Sequence, residues 1–310
     1  MKKILIITDE KKSSLDQCNA LLNYLKKKNK TEVEYKIIKK EIIHFLPNYL
    51  IFLFLFATDI FKNIKSCGFN LVISCGRISA PYSILFKTKN RCRNIHILDP
   101  YFLRDKFDLI LLPFHDKKKI NSLDNIVGTY GTLVNKKSVS KYEKIKFKNL
   151  LSNKQTVSCL IGGSGKSSQI SLKNIKKLIE NVNKISNNFN VVYCLSRRTG
   201  KKIKEVILDE KKPNHFCYEY KDPNPYWYLI SKSDYFIVTQ DSVSMISDCI
   251  TTGQPVFIHK VEKLKKKIKQ FSLQLEKEKI VRCFNGEINF WTYKPINEAQ
   301  RVSKIIESKF

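Results

Sequence analysis

The chain has 310 residues, 43% of them hydrophobic, with 19 Phe and 14 Tyr, which excludes disorder and, at roughly 150 residues per domain, points to two domains. Its formal net charge is +29, yet only eight of the 57 basic residues are Arg; with no RRM, KH or zinc-finger pattern, no specific nucleic acid is expected as a partner. The nine Cys form no CxxC pair, which excludes a disulfide framework and a zinc site and fits reduced thiols in a cytoplasmic protein.

The first residues read as a strand over 3–8 ending at Asp9-Glu10, not as a signal peptide. Further strands are predicted near 33–38, 70–75, 94–98 and 108–112, with helices near 14–28, 45–62 and 78–88. This alternation argues for a parallel sheet with crossover helices. Within the second helix, the apolar run Tyr49 to Ala57 stands behind Pro47. A spanning helix takes about 20 apolar residues, so the run is too short to cross a bilayer. It reads as a core helix, or as one whose aromatic face dips into an anionic membrane surface. The lysine runs read as a solvated surface or as a basic face for lipid headgroups.

Residues 136–155 are rich in Lys, Ser and Asn and read as an interdomain linker. A second alternation follows. Its strands are predicted near 156–161, 190–195, 214–218, 234–239 and 255–259, and its helices near 170–187, 199–209, 224–232, 243–252 and 261–279. The tail from 295 reads as a final amphipathic helix. The expected domains are 1–145 and 155–292, with 293–310 as a final helix beyond them.

In open parallel sheets, ligands bind beyond the carboxyl ends of the strands, and unusual residues gather at those ends here. Strand 70–75 runs into Gly76 and Arg77, a tight turn followed by a fork for phosphate or carboxylate, or else an ordinary turn with a surface Arg. Strand 108–112 runs into His115 and Asp116, a candidate general base with its orienting carboxylate, provided the turn has begun. Strand 156–161 leads into Gly162, Gly163, Ser164, Gly165, Lys166 and Ser167. The ending imitates a P-loop, but the first glycine of that pattern falls on Leu160. A glycine-rich turn that brings a diphosphate to backbone N–H groups is the better reading, with a P-loop kinase as the third. Strand 190–195 ends at Arg197 and Arg198, the only Arg pair, suited to clamping a diphosphate. Strand 234–239 ends at Thr239, then Asp241 and Ser242, with Ser244 and Asp248 on the next helix. Hydroxyls at a helix start suit phosphate, a carboxylate one turn in suits ribose, and Ser242 also reads as a plain N-cap.

The motifs ISCGRISAP (73–81), HILDP (96–100), LLPFHD (111–116), LIGGSGK (160–166), LSRRT (195–199), NPYWYLI (224–230), VTQDSVSMISD (238–248) and GQPV (253–256) together resemble the mitochondrial-fission ELM (elongated mitochondria) family, in its bacterial type. That family is distantly similar to GT-B glycosyltransferases, through residues 233–255. The resemblance implies two Rossmann-like domains in tandem and a nucleotide-sugar as substrate, with no cofactor and no metal. It places Ser242 to Asp248 at the donor nucleotide, with Asp248 on the ribose. It takes the final helix, 293–310, back onto the first domain, and it makes 45–57 the counterpart of a membrane-facing patch, on a protein peripheral to the inner membrane face. The first loop, Asp9 to Ser14, lacks the glycine those proteins carry there. A non-enzymatic scaffold on the same fold is therefore the alternative to a glycosyltransferase-like activity.

Overall fold

The computed structural model describes residues 2–26, 31–58, 68–117, 123–151, 153–165, 167–185 and 187–310. The chain divides into two compact units, Met1–Asn135 together with Asn297–Phe310, and Lys136–Ile296.

The first unit is built on β1 (Lys2–Asp9), β2 (Thr31–Ile38), β3 (Leu71–Cys75), β4 (Arg93–Ile97), β5 (Leu109–Pro113) and β6 (Ile126–Thr129), with helices α1 (Lys12–Lys26), α2 (Asn48–Thr58), α3 (Ser79–Asn90) and α4 (Phe114–Lys117). All neighbouring strands are parallel, in the order β2-β1-β3-β4-β5-β6. The central strands read as near-continuous apolar runs because helices cover both faces. On one face, Leu21 and Leu22 of α1 pack with Ile6, Ile73, Ile95 and Leu111. On the other, Ile51 and Leu55 of α2 and Leu85 and Phe86 of α3 pack with Leu5, Ile7 and Val72.

The predicted helix over 45–62 is broken. A 3-10 turn, Ile42–Phe45, precedes Pro47, and α2 starts only at Asn48. Proline disfavours helical backbone in the residue before it and is tolerated in a helix's first turn, which explains the break. Only Asn48, Ile51 and Leu55 of α2 are buried; Leu53 and Phe56 are 58% and 62% exposed. Among the described residues no helix is long and apolar enough to cross a membrane.

The second unit carries α5 (Lys141–Lys146), β7 (Thr156–Ile161), β8 (Ser168–Gln169), α6 (Leu172–Ile185), β9 (Asn190–Leu195), α7 (Lys201–Glu210), β10 (Phe216–Tyr218), α8 (Tyr226–Lys232), β11 (Tyr235–Thr239), α9 (Val243–Ile250), β12 (Val256–His259), β13 (Lys263–Leu264), α10 (Lys266–Lys277) and β14 (Val281–Cys283). Its six-stranded sheet is again all parallel, in the order β10-β9-β7-β11-β12-β14, and β8 pairs antiparallel with β13. Residues of the expected linker belong to this unit. Ser140 and Glu143 form a capping box at α5, and the buried Phe147 meets Tyr218 edge to ring and Tyr228 at a tilt.

The final helix, α11 (Glu298–Lys309), returns to the first unit, where Ala299, Val302 and Ile306 join the α1 core. Arg301 bonds Glu298 and the Gly128 carbonyl, and Glu298 accepts from the Tyr130 N–H at 3.1 Å.

Candidate functional site

Parallel strands deliver their carboxyl ends to one edge of the sheet. In the second unit that edge brings three loops together, those after β7, β9 and β11. Asp241 is their meeting point. Its carboxylate, with no side-chain exposure, accepts from the Gly163 N–H at 3.1 Å, from the Thr239 hydroxyl at 2.6 Å and from Arg198 Nη2 at 2.9 Å. Thr239 Oγ1 in turn accepts from the Gly162 N–H at 2.8 Å. Thr199 Oγ1 donates to the carbonyls of Ile161 and Gly162 at 3.0 and 2.6 Å.

The glycines are needed for this closeness. A Cβ on Gly162 would run into the Asp241 carboxylate, and one on Gly163 into the Arg198 carbonyl. A buried carboxylate is stable only when paired and fully hydrogen-bonded, and here one charge is shared among three loops. Arg198 is thus held by Asp241, whereas Arg197 beside it is exposed and carries no partner among the described residues. Ser164 is exposed, its hydroxyl accepting from the Ile170 N–H at 3.0 Å.

Gly165 and Ser168 exchange backbone bonds across a hairpin turn, and α6 begins only at Leu172. Among the described residues this loop therefore does not run directly into a helix, as a P-loop does at its Gly-Lys-Ser ending. This corrects the kinase reading. Lys166 lies outside the described residues.

At the start of α9, the Ser242 hydroxyl accepts from the Met245 N–H at 3.4 Å, an N-cap. Ser244 is exposed. Asp248, one turn further and half-buried, accepts from the Tyr226 hydroxyl at 2.6 Å. Burial, and then the Asp248 carboxylate, push the Tyr226 hydroxyl well above its ordinary pKa, so it remains a donor. Tyr226 lies inside the NPYWYLI motif, to which the sequence alone assigns no role. Its bond to Asp248 gives it a definite partner.

In the first unit, Gly76 has φ +83°, a backbone that favours glycine. Arg77 is turned to its own chain, with Nη1 3.0 Å from both the Leu46 carbonyl and Asn48 Oδ1, and Nη2 on the His44 carbonyl. It caps the 3-10 turn before α2 and ties it to the sheet edge. His115 and Asp116 lie half-buried on α4, which starts at Phe114. The turn has begun, but successive helix residues do not face each other. Asp9, buried at the end of β1, pairs with Lys11 at 2.5 Å.

Comparison with known proteins extends this picture. The sequence model of the family described as Mitochondrial fission ELM1 matches residues 14–310. The chain is 28% identical to uncharacterized protein RP120 of Rickettsia prowazekii (strain Madrid E), covering 98% of this chain and 97% of that protein. It is also 28% identical to mitochondrial fission protein ELM1 of Arabidopsis thaliana over 74% of this chain, and spans 61% of that protein's length. Among solved structures, it is similar to the UDP-GlcNAc 2-epimerase of Neisseria meningitidis bound to UDP-GlcNAc, with a TM-score of 0.57 at 16% identity and 99% of both chains covered. A ugt transferase from Siraitia grosvenorii in complex with UDP gives a TM-score of 0.56 at 8% identity, covering 99% of this chain and 90% of that one. At such identities the likeness is one of fold: mixed α/β with two Rossmann-like domains of the GT-B type.

Proposed function

The chain belongs to the mitochondrial fission ELM1 family, and from that premise we propose that it is a glycosyltransferase-like protein whose second unit binds a nucleotide-sugar at a membrane surface. The observation that carries the reading is the convergence of three strand-end loops on Asp241. Such a knot fixes the glycine turn and Arg198 before any ligand arrives, and preorganised donors bind anions without a reordering cost. In this proposal Arg197 and Arg198 hold the diphosphate beside the 162–165 turn, whose N–H groups at 162, 163 and 165 are already bonded within the loops. The α9 start at Ser242 and Ser244 faces the phosphates, and Asp248 takes the ribose. His115 is the base and Asp116 an acidic neighbour. Arg77 acts indirectly, by holding the 44–48 segment. The nucleotides bound by the neighbouring structures, UDP-GlcNAc and UDP, agree with this ligand class.

A non-enzymatic scaffold is the second reading. It draws on the glycine-free first loop, where the Asp9 carboxylate is already paired with Lys11. Thermal-shift titration with UDP-, GDP- and CMP-sugars separates the two. Stabilisation by one of them, lost in Arg197→Ala and in Asp248→Ala, is the expected result. No stabilisation by any donor leaves the scaffold reading standing.

A further inference from the structure

At the opposite, amino-terminal edge of the first unit's sheet lies a half-open cavity of about 500 Å³. It is lined by four cationic side chains, Lys87, Arg91, Arg93 and Lys106, against two carboxylates, Asp105 and Asp108. The wall therefore carries two surplus positive charges at neutral pH. Asp108 is saturated: it accepts from the Asn94 N–H at 2.7 Å and pairs with Lys87 at 2.8 Å and Arg93 at 3.4 Å. Asp105 pairs with Lys106 at 3.1 Å, both largely exposed.

Arg91 is different. Its side chain makes no hydrogen bond or ion pair among the described residues, while its backbone N–H bonds the Lys87 carbonyl at 2.9 Å and its backbone occupies the left-handed region at the end of α3, φ 49° and ψ 34°. That position is the common place of glycine or asparagine, and another side chain there carries a strain of backbone sterics. The favourable charge at the helix's carboxyl end is already supplied by Lys87 and Lys89. A chain with eight Arg among 57 basic residues keeps two of them here, at 91 and 93. What Arg adds over Lys is a planar fork for two oxygens at once.

We infer that this cavity binds a phosphate group, held by the Arg91 fork with Arg93 beside it. Two sources share that chemistry. A phosphorylated small molecule fills the half-open cavity directly. A phospholipid headgroup reaches it from the side of α2, because Ile84 of the cavity wall shares a hydrophobic cluster with Phe52 of that helix. The cavity belongs to the first unit and does not depend on the nucleotide site proposed in the second.

The test uses the full chain and Arg91→Gly, a substitution that suits the left-handed backbone, so its melting temperature should equal or exceed that of the wild type. Calorimetric titration with glycerol 3-phosphate and flotation with phosphatidylcholine vesicles, with and without phosphatidic acid, supply the two arms. Saturable glycerol 3-phosphate binding that becomes roughly tenfold or more weaker in Arg91→Gly assigns the site to a soluble phosphate. No soluble binding, but loss in Arg91→Gly of the flotation that phosphatidic acid adds, assigns it to a lipid. If neither arm responds to Arg91→Gly, or phosphate binding vanishes in Arg197→Ala instead, the inference is overturned.

Discussion

Asp241 touches three loops through single atoms, so its removal should be felt in all of them. Asp241→Ala leaves the buried Gly163 N–H and Thr239 hydroxyl unpaired, each a loss of about 1–3 kcal/mol. Arg198, 40% exposed on its side chain, recovers water and adds little. The expected outcome is about 2–4 kcal/mol lower stability of the second unit, measured by urea unfolding, together with loss of any nucleotide-dependent stabilisation. Another single residue sets an acid limit. His96 is fully buried, its Nδ1 2.8 Å from Ser74 Oγ and its ring against Phe107. Burial pulls its pKa down to about 3. The unfolded chain, at the ordinary value of about 6.5, takes up the proton first. The stability due to neutral His96 is therefore complete above that value and is lost as pH falls toward about 3, by about 1.4 kcal/mol per pH unit. His215 and His259, each lowered to about 4 by burial, act in the same direction. The unfolding free energy measured in urea should be lower at about pH 5 than at about pH 6 for the wild type, and the drop should be about 1 kcal/mol smaller for His96→Gln.

At the scale of the element, α2 divides its residues between two environments. Ile51 and Leu55 are core, and Phe52 packs on Phe102 with centroids 5.7 Å apart, so these hold the helix in place. Leu53, Phe54 and Phe56 face outward, beside a basic loop in which Lys40 sits 4.4 Å over the Phe45 ring. Changing Phe54 and Phe56 together to Ser should leave the melting temperature nearly unchanged and abolish flotation with anionic liposomes. A wild type that does not float removes the membrane part of the proposal. The buried stripe of α2 was hard to read beforehand, because nine successive apolar residues carry no periodicity with which to tell inside from outside. Strands 156–161 and 190–195 were legible to the residue, since fully buried parallel strands are near-continuous apolar runs. The missed pieces are short. The three residues of β14 and the two-residue arms of β8 and β13 owe their form to partners far along the chain, not to a pattern of their own. The α5 capping box, Ser140 with Glu143, is legible in the sequence, inside a lysine-rich stretch whose composition alone reads as linker. For the site, the strand-end residues were legible because parallel strands send their ends to one edge. Their partners were not: Arg198 on Asp241, and Arg77 on the 44–48 carbonyls, follow from the course of loops.

For the whole molecule, the main fact is that the first unit is made from two separated stretches of sequence. Three side chains of α11, Ala299, Val302 and Ile306, complete the core over α1, and Asn297 bonds the Tyr24 hydroxyl at 2.6 Å. Ending the chain after Ile296 should therefore weaken the first unit while the second keeps its protection. Hydrogen exchange resolved along the sequence would show this as faster exchange in β1, β3 and β4 and unchanged exchange in β7, β9 and β11. Equal loss in both units would contradict the division.

The same discontinuity has a consequence during synthesis. The second unit, 161 residues from Lys136 to Ile296, is translated between the two parts of the first. At about 5–20 residues per second, the first six strands wait roughly ten to thirty seconds for the helix that closes their core. Through that interval α1 carries an uncovered apolar strip on a nascent chain, a natural place for a chaperone to bind. The second unit, begun later but continuous, can finish first, so the order of maturation is the reverse of the order of translation.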